Sequence, residues 1–182
     1  MKQKKILYRL IITAVCVALC LVLPIALHAI PNAGNIFSPM HIPVLLCGMV
    51  CGWQYGLLCG LTGPLLSSLI TSMPAFANLP FMMVELAVYG AVSGFLVKLL
   101  HKQKSLLRLY VPLLTAMLSG RVVAGILRAI VFAGEGYGLS LWATAYFVTT
   151  FPGILLHLIL VPILYLALKR AGLLPPDDLS GN

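Results

Sequence analysis

Long apolar stretches separated by short polar segments run along the chain of 182 residues. The first stretch, residues 10–27, contains a single polar residue, Thr13. Five more stretches follow, at residues 36–53, 55–73, 80–97, 109–133 and 141–168. A helix needs about 20 predominantly apolar residues to cross a bilayer. The pattern therefore predicts an all-α integral membrane protein, a compact bundle of six transmembrane helices.

The first apolar stretch follows a basic segment, an arrangement that signal peptides share. A signal peptide has an apolar region of only about 7–15 residues and ends at an A-x-A-like site. Here the run is longer, and no A-x-A sequence occurs before Pro31. We therefore predict a retained first helix, kinked at Pro24. It belongs to a single membrane domain, residues 1–172, which is followed by a polar cytoplasmic tail, residues 173–182.

The composition excludes a water-soluble globule. Hydrophobic residues make up 61% of the chain and charged residues only 9%, and the mean hydropathy is +1.06. A soluble domain carries about 25% charged residues. This chain has too little polar material to cover a surface in water.

The basic residues lie mainly at the ends of the apolar stretches. The chain has 12 Lys and Arg against 4 Asp and Glu. Most of the basic residues fall into three clusters: Lys2, Lys4, Lys5 and Arg9; Lys98, Lys102, Lys104 and Arg108; Lys169 and Arg170. Such an excess marks cytoplasmic loops, so both termini and the loop 98–108 are predicted to be cytoplasmic. A nucleic-acid partner is not expected, because it would need basic residues interleaved with stacking aromatics on a folded surface.

Motifs of catalysis and metal binding do not occur in the sequence. There is no HExxH, GxSxG or GxxxxGK, so neither an enzyme activity nor a cofactor is expected. The five cysteines all lie inside apolar stretches: Cys16, Cys20, Cys47, Cys51 and Cys59. We interpret them as small packing residues rather than as metal ligands or disulfide partners.

Glycines recur every four residues in the second, third and fourth apolar stretches. They are Gly48, Gly52, Gly56 and Gly60, followed by Gly90 and Gly94. Small residues at this spacing let helix backbones approach closely in lipid. The spacing predicts tight helix packing and does not indicate a function.

Four ionisable side chains lie inside the predicted helices: Glu85, Arg121, Arg128 and His157. A charge at the bilayer centre costs at least about 2.5–3.5 kcal/mol, so it normally faces a partner or a cavity. Counted from the predicted helix ends at 1.5 Å per residue, Glu85 and Arg128 both lie roughly 8 Å deep. They are therefore candidates for a structural ion pair, which leaves Arg121 without a carboxylate at its level. An anionic ligand in a water-accessible cavity would compensate Arg121, while His157 is either a packing residue or a ligand contact.

Polar and aromatic side chains near the predicted outer ends complete a candidate pocket that opens outward. Tyr89 shares a helix face with Glu85 by its i, i+4 spacing. The further candidates are polar groups, His28, Asn32, Asn35, Ser38, His41 and Asn78, and an aromatic wall of Trp142, Tyr146 and Tyr137. Ordinary loop solvation explains any one of the polar residues, but their coincidence with the buried charges indicates a binding site.

The chain resembles the substrate-binding S components of energy-coupling factor (ECF) vitamin transporters. The resemblance covers essentially the whole chain, and two features carry it most directly. These are the first-helix pattern Ala14-x-x-x-Ala18 and the stretch FSPMHIPVLLCGMVCGWQYGLLCGLTGPLLSSL. The long stretch is similar to the pantothenate-like and unassigned groups of S components.

The resemblance implies a high-affinity binder of a water-soluble vitamin or precursor in the bacterial cell membrane. It also implies docking of the Ala14 and Ala18 face on a transmembrane T subunit, which two cytoplasmic ATPase subunits drive. Because the buried charges favour an anion, we expect pantothenate first and nicotinate second. The alternatives are an autonomous small transporter or channel that needs no ATPase module and, third, an intramembrane enzyme.

Overall fold

The computed structural model describes residues 2–27, 32–132 and 137–174, and in these ranges it is helical throughout, without strands. We number the helices α1 to α8 and name the π-helical turn separately. They are α1 Lys2–Ala26, α2 Ala33–Phe37, α3 His41–Cys51, α4 Trp53–Thr71, α5 Leu79–Leu99, α6 Ser105–Val131, α7 Leu139–Ala143, the π turn Thr144–Val148, and α8 Phe151–Arg170.

The prediction of an all-helical membrane protein is confirmed, and five of the described helical segments are long and apolar enough to cross a bilayer. They are Gln3–Ala26, Gly34–Cys51, Leu79–Leu99, Leu106–Val131 and Phe151–Arg170. Helix α4, with 19 residues, is also long enough, but Trp, Gln, Tyr, Pro and Ser dilute its apolar content. Length and composition thus support five of the six predicted spans.

Two of the predicted spans are broken rather than continuous. The second divides at Ser38, whose φ of 45° is left-handed and ends α2. The sixth divides into α7, the π turn and α8, which begins at Phe151 with a proline in its first turn. The second and third apolar stretches, at residues 36–53 and 55–73, predict a turn between them at Trp53-Gln54. In the structure this turn lies at Gly52, with φ 98°. A positive φ is readily adopted only by glycine.

Helix α3 occupies the centre of the bundle. All 11 of its residues are buried, and it packs against α1, α4, α5 and α8. The predicted glycine contacts explain how the neighbouring helices come so close. A Cβ on Gly90 of α5 would collide with the backbone of Gly56 in α4, and one on Gly48 of α3 would collide with the Gly90 carbonyl.

Candidate functional site

A cavity of about 440 Å³ lies at the end of the bundle that is remote from the basic clusters. Its walls come from the α2–α3 segment, the loop before α5, the N-terminal half of α5, the C-terminal half of α6, and the π turn. The lining includes nine of the predicted site residues: Asn35, Ser38, His41, Asn78, Glu85, Arg121, Arg128, Tyr137 and Tyr146. The structure therefore brings together most of the side chains that the sequence indicated.

A chain of hydrogen bonds joins buried charged groups in the wall of this cavity. The Tyr89 hydroxyl donates to the Glu85 carboxylate at 3.0 Å and accepts from Arg121 Nε at 3.0 Å. His41 Nε2 lies 3.4 Å from the same carboxylate. All four side chains are buried, with Arg121 only 2% exposed. Buried charges persist only when they are paired and hydrogen-bonded, and this chain satisfies both conditions.

The expected Glu85–Arg128 ion pair is not formed, since Glu85 is held by His41 and Tyr89. The error lay in the assumed depths, which were counted from predicted helix ends. The close contact of Gly120 with the Tyr89 ring sets Arg121, and not Arg128, at the level of Glu85. Arg128 lies seven residues further along α6, roughly 10 Å at 1.5 Å per residue.

Arg128 is the cavity cation whose N–H groups remain available to a ligand. One terminal nitrogen donates to Asn78 Oδ1 at 3.0 Å, and its guanidinium carbon lies 4.6 Å from the Phe81 ring centroid. Of the residues in the three described ranges, Glu85 is the only acidic one, so no described carboxylate neutralises Arg128. Within those ranges its buried Nε also has no hydrogen-bond partner.

The two buried histidines support the back of the cavity. His41 and His157 stack with centroids 5.5 Å apart and an interplanar angle of 13°. His157 Nε2 lies 3.2 Å from the Ser38 carbonyl, which belongs to the break between α2 and α3. His157 is outside the lining and therefore positions His41 and the break instead of facing the cavity.

Trp142 and Asn32 also lie outside the cavity lining. The Trp142 indole donates to the Arg121 carbonyl at 3.1 Å and covers Gly125, where a Cβ would collide with it. It therefore fixes α7 on α6. Asn32 is exposed at the N-terminus of α2 with φ 58°. Of the predicted aromatic wall, Tyr137 and Tyr146 line the cavity and Trp142 lies outside the lining. The polar candidate His28 lies outside the described residues.

Sequence reasoning missed other lining residues that carry no charge, among them Met82, Thr149 and Thr150. The two threonines follow the π turn, and Thr150 donates to the Tyr146 carbonyl at 2.6 Å. π-Helical turns occur frequently at functional sites, but no sequence pattern within an apolar stretch predicts such a turn. A pair of threonines two residues before a proline was the available signal.

Tyr137 supplies a further polar group at the mouth of the cavity. Burial raises the pKa of its phenol, and the positive charge of Arg128 opposes part of that rise. The hydroxyl therefore stays protonated at neutral pH and can donate a hydrogen bond. No described residue accepts that hydrogen bond.

The predicted docking residues lie on the outer surface of α1. Ala14 and Ala18 are both exposed, whereas Cys16 and Cys20 on the opposite face are buried in the core. Helix α1 thus packs against the bundle with its cysteines and presents its alanines outward.

A membrane-embedded helical bundle with a polar, cationic cavity at one end is characteristic of the binding subunit of a small-molecule transporter. A family model described as "ECF transporter, substrate-specific component" matches residues 8–165, so the chain belongs to this family. The resemblance noted in the sequence is thereby confirmed. No curated protein sequence and no solved structure matches the chain significantly. Members of this family bind vitamin-type substrates, associate with ECF T and ATPase modules, and are not enzymes.

Proposed function

We propose that the cavity between α3, α5 and α6 binds a small, singly charged anionic vitamin, pantothenate first and nicotinate second. The observation that carries this proposal is the position of Arg128. It is a half-buried guanidinium in the cavity wall, and none of the described residues offers it a carboxylate. Arginine is always protonated and its planar fork matches a carboxylate bidentately.

The charge balance of the cavity supports a single negative charge on the ligand. The Tyr89 hydroxyl links Glu85 to Arg121. The negative charge of Glu85 therefore compensates the positive charge of Arg121. Counting only the Glu and Arg side chains, Arg128 leaves one positive charge in the wall. A monoanion neutralises that charge, whereas a neutral vitamin leaves it uncompensated.

The size and polarity of the cavity favour pantothenate over nicotinate. A volume of about 440 Å³ falls within the range of about 300–1,000 Å³ that small-molecule sites occupy. A single pyridine ring would leave much of that space empty. Pantothenate also carries hydroxyl and amide groups that Asn35, Asn78 and Thr149 in the lining can hydrogen-bond.

The same proposal includes six spans, with α4 as the sixth, and both termini in the cytoplasm of a bacterial cell. Helix α4 packs on α1, α3 and α5, so its polar and small residues meet protein as well as lipid. The basic clusters then lie inside and the cavity opens outward. Binding alone moves nothing inward, so delivery depends on a T subunit docked at Ala14 and Ala18 and on two ATPase subunits.

The direct test uses matched pairs of ligands that differ mainly in charge. The detergent-purified protein is heated with pantothenate or its neutral alcohol panthenol, and with nicotinate or neutral nicotinamide. A ligand at 100 times its Kd adds about 2.7 kcal/mol of stability, which raises the unfolding temperature measurably. We expect stabilisation by one acid and not by its neutral partner, and stabilisation by a neutral vitamin instead would refute the proposal.

A further inference from the structure

A second cavity, of about 560 Å³, lies at the opposite end of the bundle. Its walls come from α1, the turn between α3 and α4, the end of α5 and the loop leading into α6. Lys98 in this lining is thirteen residues from Glu85 along α5, roughly 20 Å at 1.5 Å per residue. The two cavities are therefore separate sites.

The second cavity is lined by basic side chains from three different helical segments. Arg9 comes from α1, Lys98 from the last turn of α5 and Arg108 from α6, while His101 lies in the loop after α5. Among the residues that the structure describes, no acidic one belongs to the lining. Arg9, Lys98 and Arg108 thus bring three formal positive charges to the cavity wall.

The rest of the lining agrees with an anionic occupant at a membrane surface. Helix α4 begins at Trp53, directly after Gly52, which has no side chain to cap it. The positive end of the α4 dipole therefore lies at the cavity wall. Trp53, 43% exposed, and Tyr55 are residue types that favour the interface between lipid and water.

We infer that this cavity is a binding site for a phosphate group. Two arginines and a lysine provide many N–H donors, and phosphate offers at least three strong acceptor oxygens to them. Two sources share this chemistry: the headgroup of an anionic phospholipid and a soluble phosphate compound on the cytoplasmic side. Basic pockets between helices at the cytoplasmic surface are the kind of site that anionic lipid headgroups occupy.

The test separates the two sources by presenting each of them to the purified full-length chain. In neutral detergent, inorganic phosphate and pyrophosphate are titrated at constant ionic strength, and the unfolding temperature is measured. In nanodiscs, phosphatidylglycerol is compared with zwitterionic phosphatidylcholine, and bound lipid is counted by native mass spectrometry. Saturable stabilisation by pyrophosphate identifies a soluble ligand, and selective retention of phosphatidylglycerol identifies a lipid.

Charge variants locate the effect at the cavity. Lys98→Gln with Arg108→Gln should weaken phosphate binding about tenfold or more, since each basic residue near an anionic surface contributes severalfold. The matched control is Lys102→Gln with Lys104→Gln, which removes the same charge from the same loop but not from the lining. The single variant Lys98→Gln, at an exposed position, keeps the test valid if the double variant fails to fold.

The inference is overturned if neither pyrophosphate nor phosphatidylglycerol binds saturably, or if both double variants lose binding equally. It is also overturned if Lys98→Gln with Arg108→Gln loses only assembly with the T and ATPase subunits. The cavity would then be a protein-docking surface. Vitamin binding is a separate readout, because the first cavity is unaltered in every one of these variants.

Discussion

The guanidinium of Arg128 lies over the Phe81 ring, with its central carbon 4.6 Å from the ring centroid. A cation over an aromatic face is stabilised without using its N–H donors. Asn78 then takes one donor, and the others stay available. Phe81 and Asn78 thus hold Arg128 in place while leaving it able to bind a carboxylate.

We expect Arg128→Gln to weaken binding of the anionic vitamin by about 2–5 kcal/mol, the cost of removing one partner of a buried charge pair. This is about 30-fold or more in Kd, measured by calorimetry on the purified protein. Binding of the neutral analogue should change little. Lys102→Gln is the control, because it removes a positive charge from an exposed position outside the cavity lining. An unchanged Kd in Arg128→Gln would show that the anion binds elsewhere, with Arg121 as the next candidate.

Tyr89→Phe should destabilise the protein by removing the link between Glu85 and Arg121. A buried charged group left without its hydrogen bond costs about 1–3 kcal/mol or more. The measurement is the unfolding temperature in detergent without ligand. Tyr110→Phe, on an exposed part of α6, removes a hydroxyl without breaking this chain and should have no effect. Equal stability of the two variants would mean that water or another group satisfies Arg121.

Gly90→Ala should force α4 and α5 apart, because the added methyl group meets the Gly56 backbone, which cannot rotate away. Overpacking costs about 1–3 kcal/mol, and occasionally more. We expect a low yield of monodisperse protein on gel filtration. Gly34→Ala, which has open space around it, should leave the yield unchanged. A normal yield for Gly90→Ala would contradict the close approach of the two helices.

The orientation of the chain can be tested with thiol labelling in intact cells. All five native cysteines are buried, so the wild-type protein serves as a blank. Cysteines at Asn35 and Asn78 should react with an impermeant reagent, and a cysteine at Lys102 should react only after the cells are opened. A cysteine at Gly136, outside the described residues, is also expected to react from outside. Labelling at position 102 in intact cells would disprove the six-span topology.

Ala14→Trp and Ala18→Trp should abolish vitamin uptake while leaving the Kd of the purified protein unchanged. Both alanines are exposed on α1, and a bulky ring there prevents close approach of another helix. Leu19→Trp is a control at an exposed position about 100° around the helix from Ala18, and it should retain uptake. If the alanine variants lose vitamin binding as well, this face serves the bundle itself and not a partner.

The apolar spans could be predicted from sequence because lipid imposes a simple requirement on length and composition. The internal breaks could not. Ser38 turns into a left-handed conformation within a run that is otherwise apolar, and the π turn Thr144–Val148 has no distinct composition. Helix α4 shows the converse, since its packing against three helices lets it carry polar residues that weaken its hydropathy signal.

The members of the site could be predicted, but not their pairing. Ionisable residues within apolar helices are readily recognised in a sequence as site candidates. Glu85, Arg121 and Arg128 are such residues, and all three line the cavity. Which of them meet depends on how far α5 and α6 are shifted along each other. That shift is set by packing at Gly120 against Tyr89. An error of two helical turns was enough to exchange the roles of the two arginines.

The complete enclosure of α3 has a consequence for how the protein is made. With 11 residues, α3 spans only about 16 Å at 1.5 Å per residue, which is about half the hydrocarbon thickness. Even joined to α2, it exposes little surface to lipid. It therefore gains its stable position only when α1, α4, α5 and α8 close around it. Since α8 is the last of these to leave the ribosome, a chain truncated before Phe151 should insert into the membrane and remain unassembled, a substrate for membrane proteases.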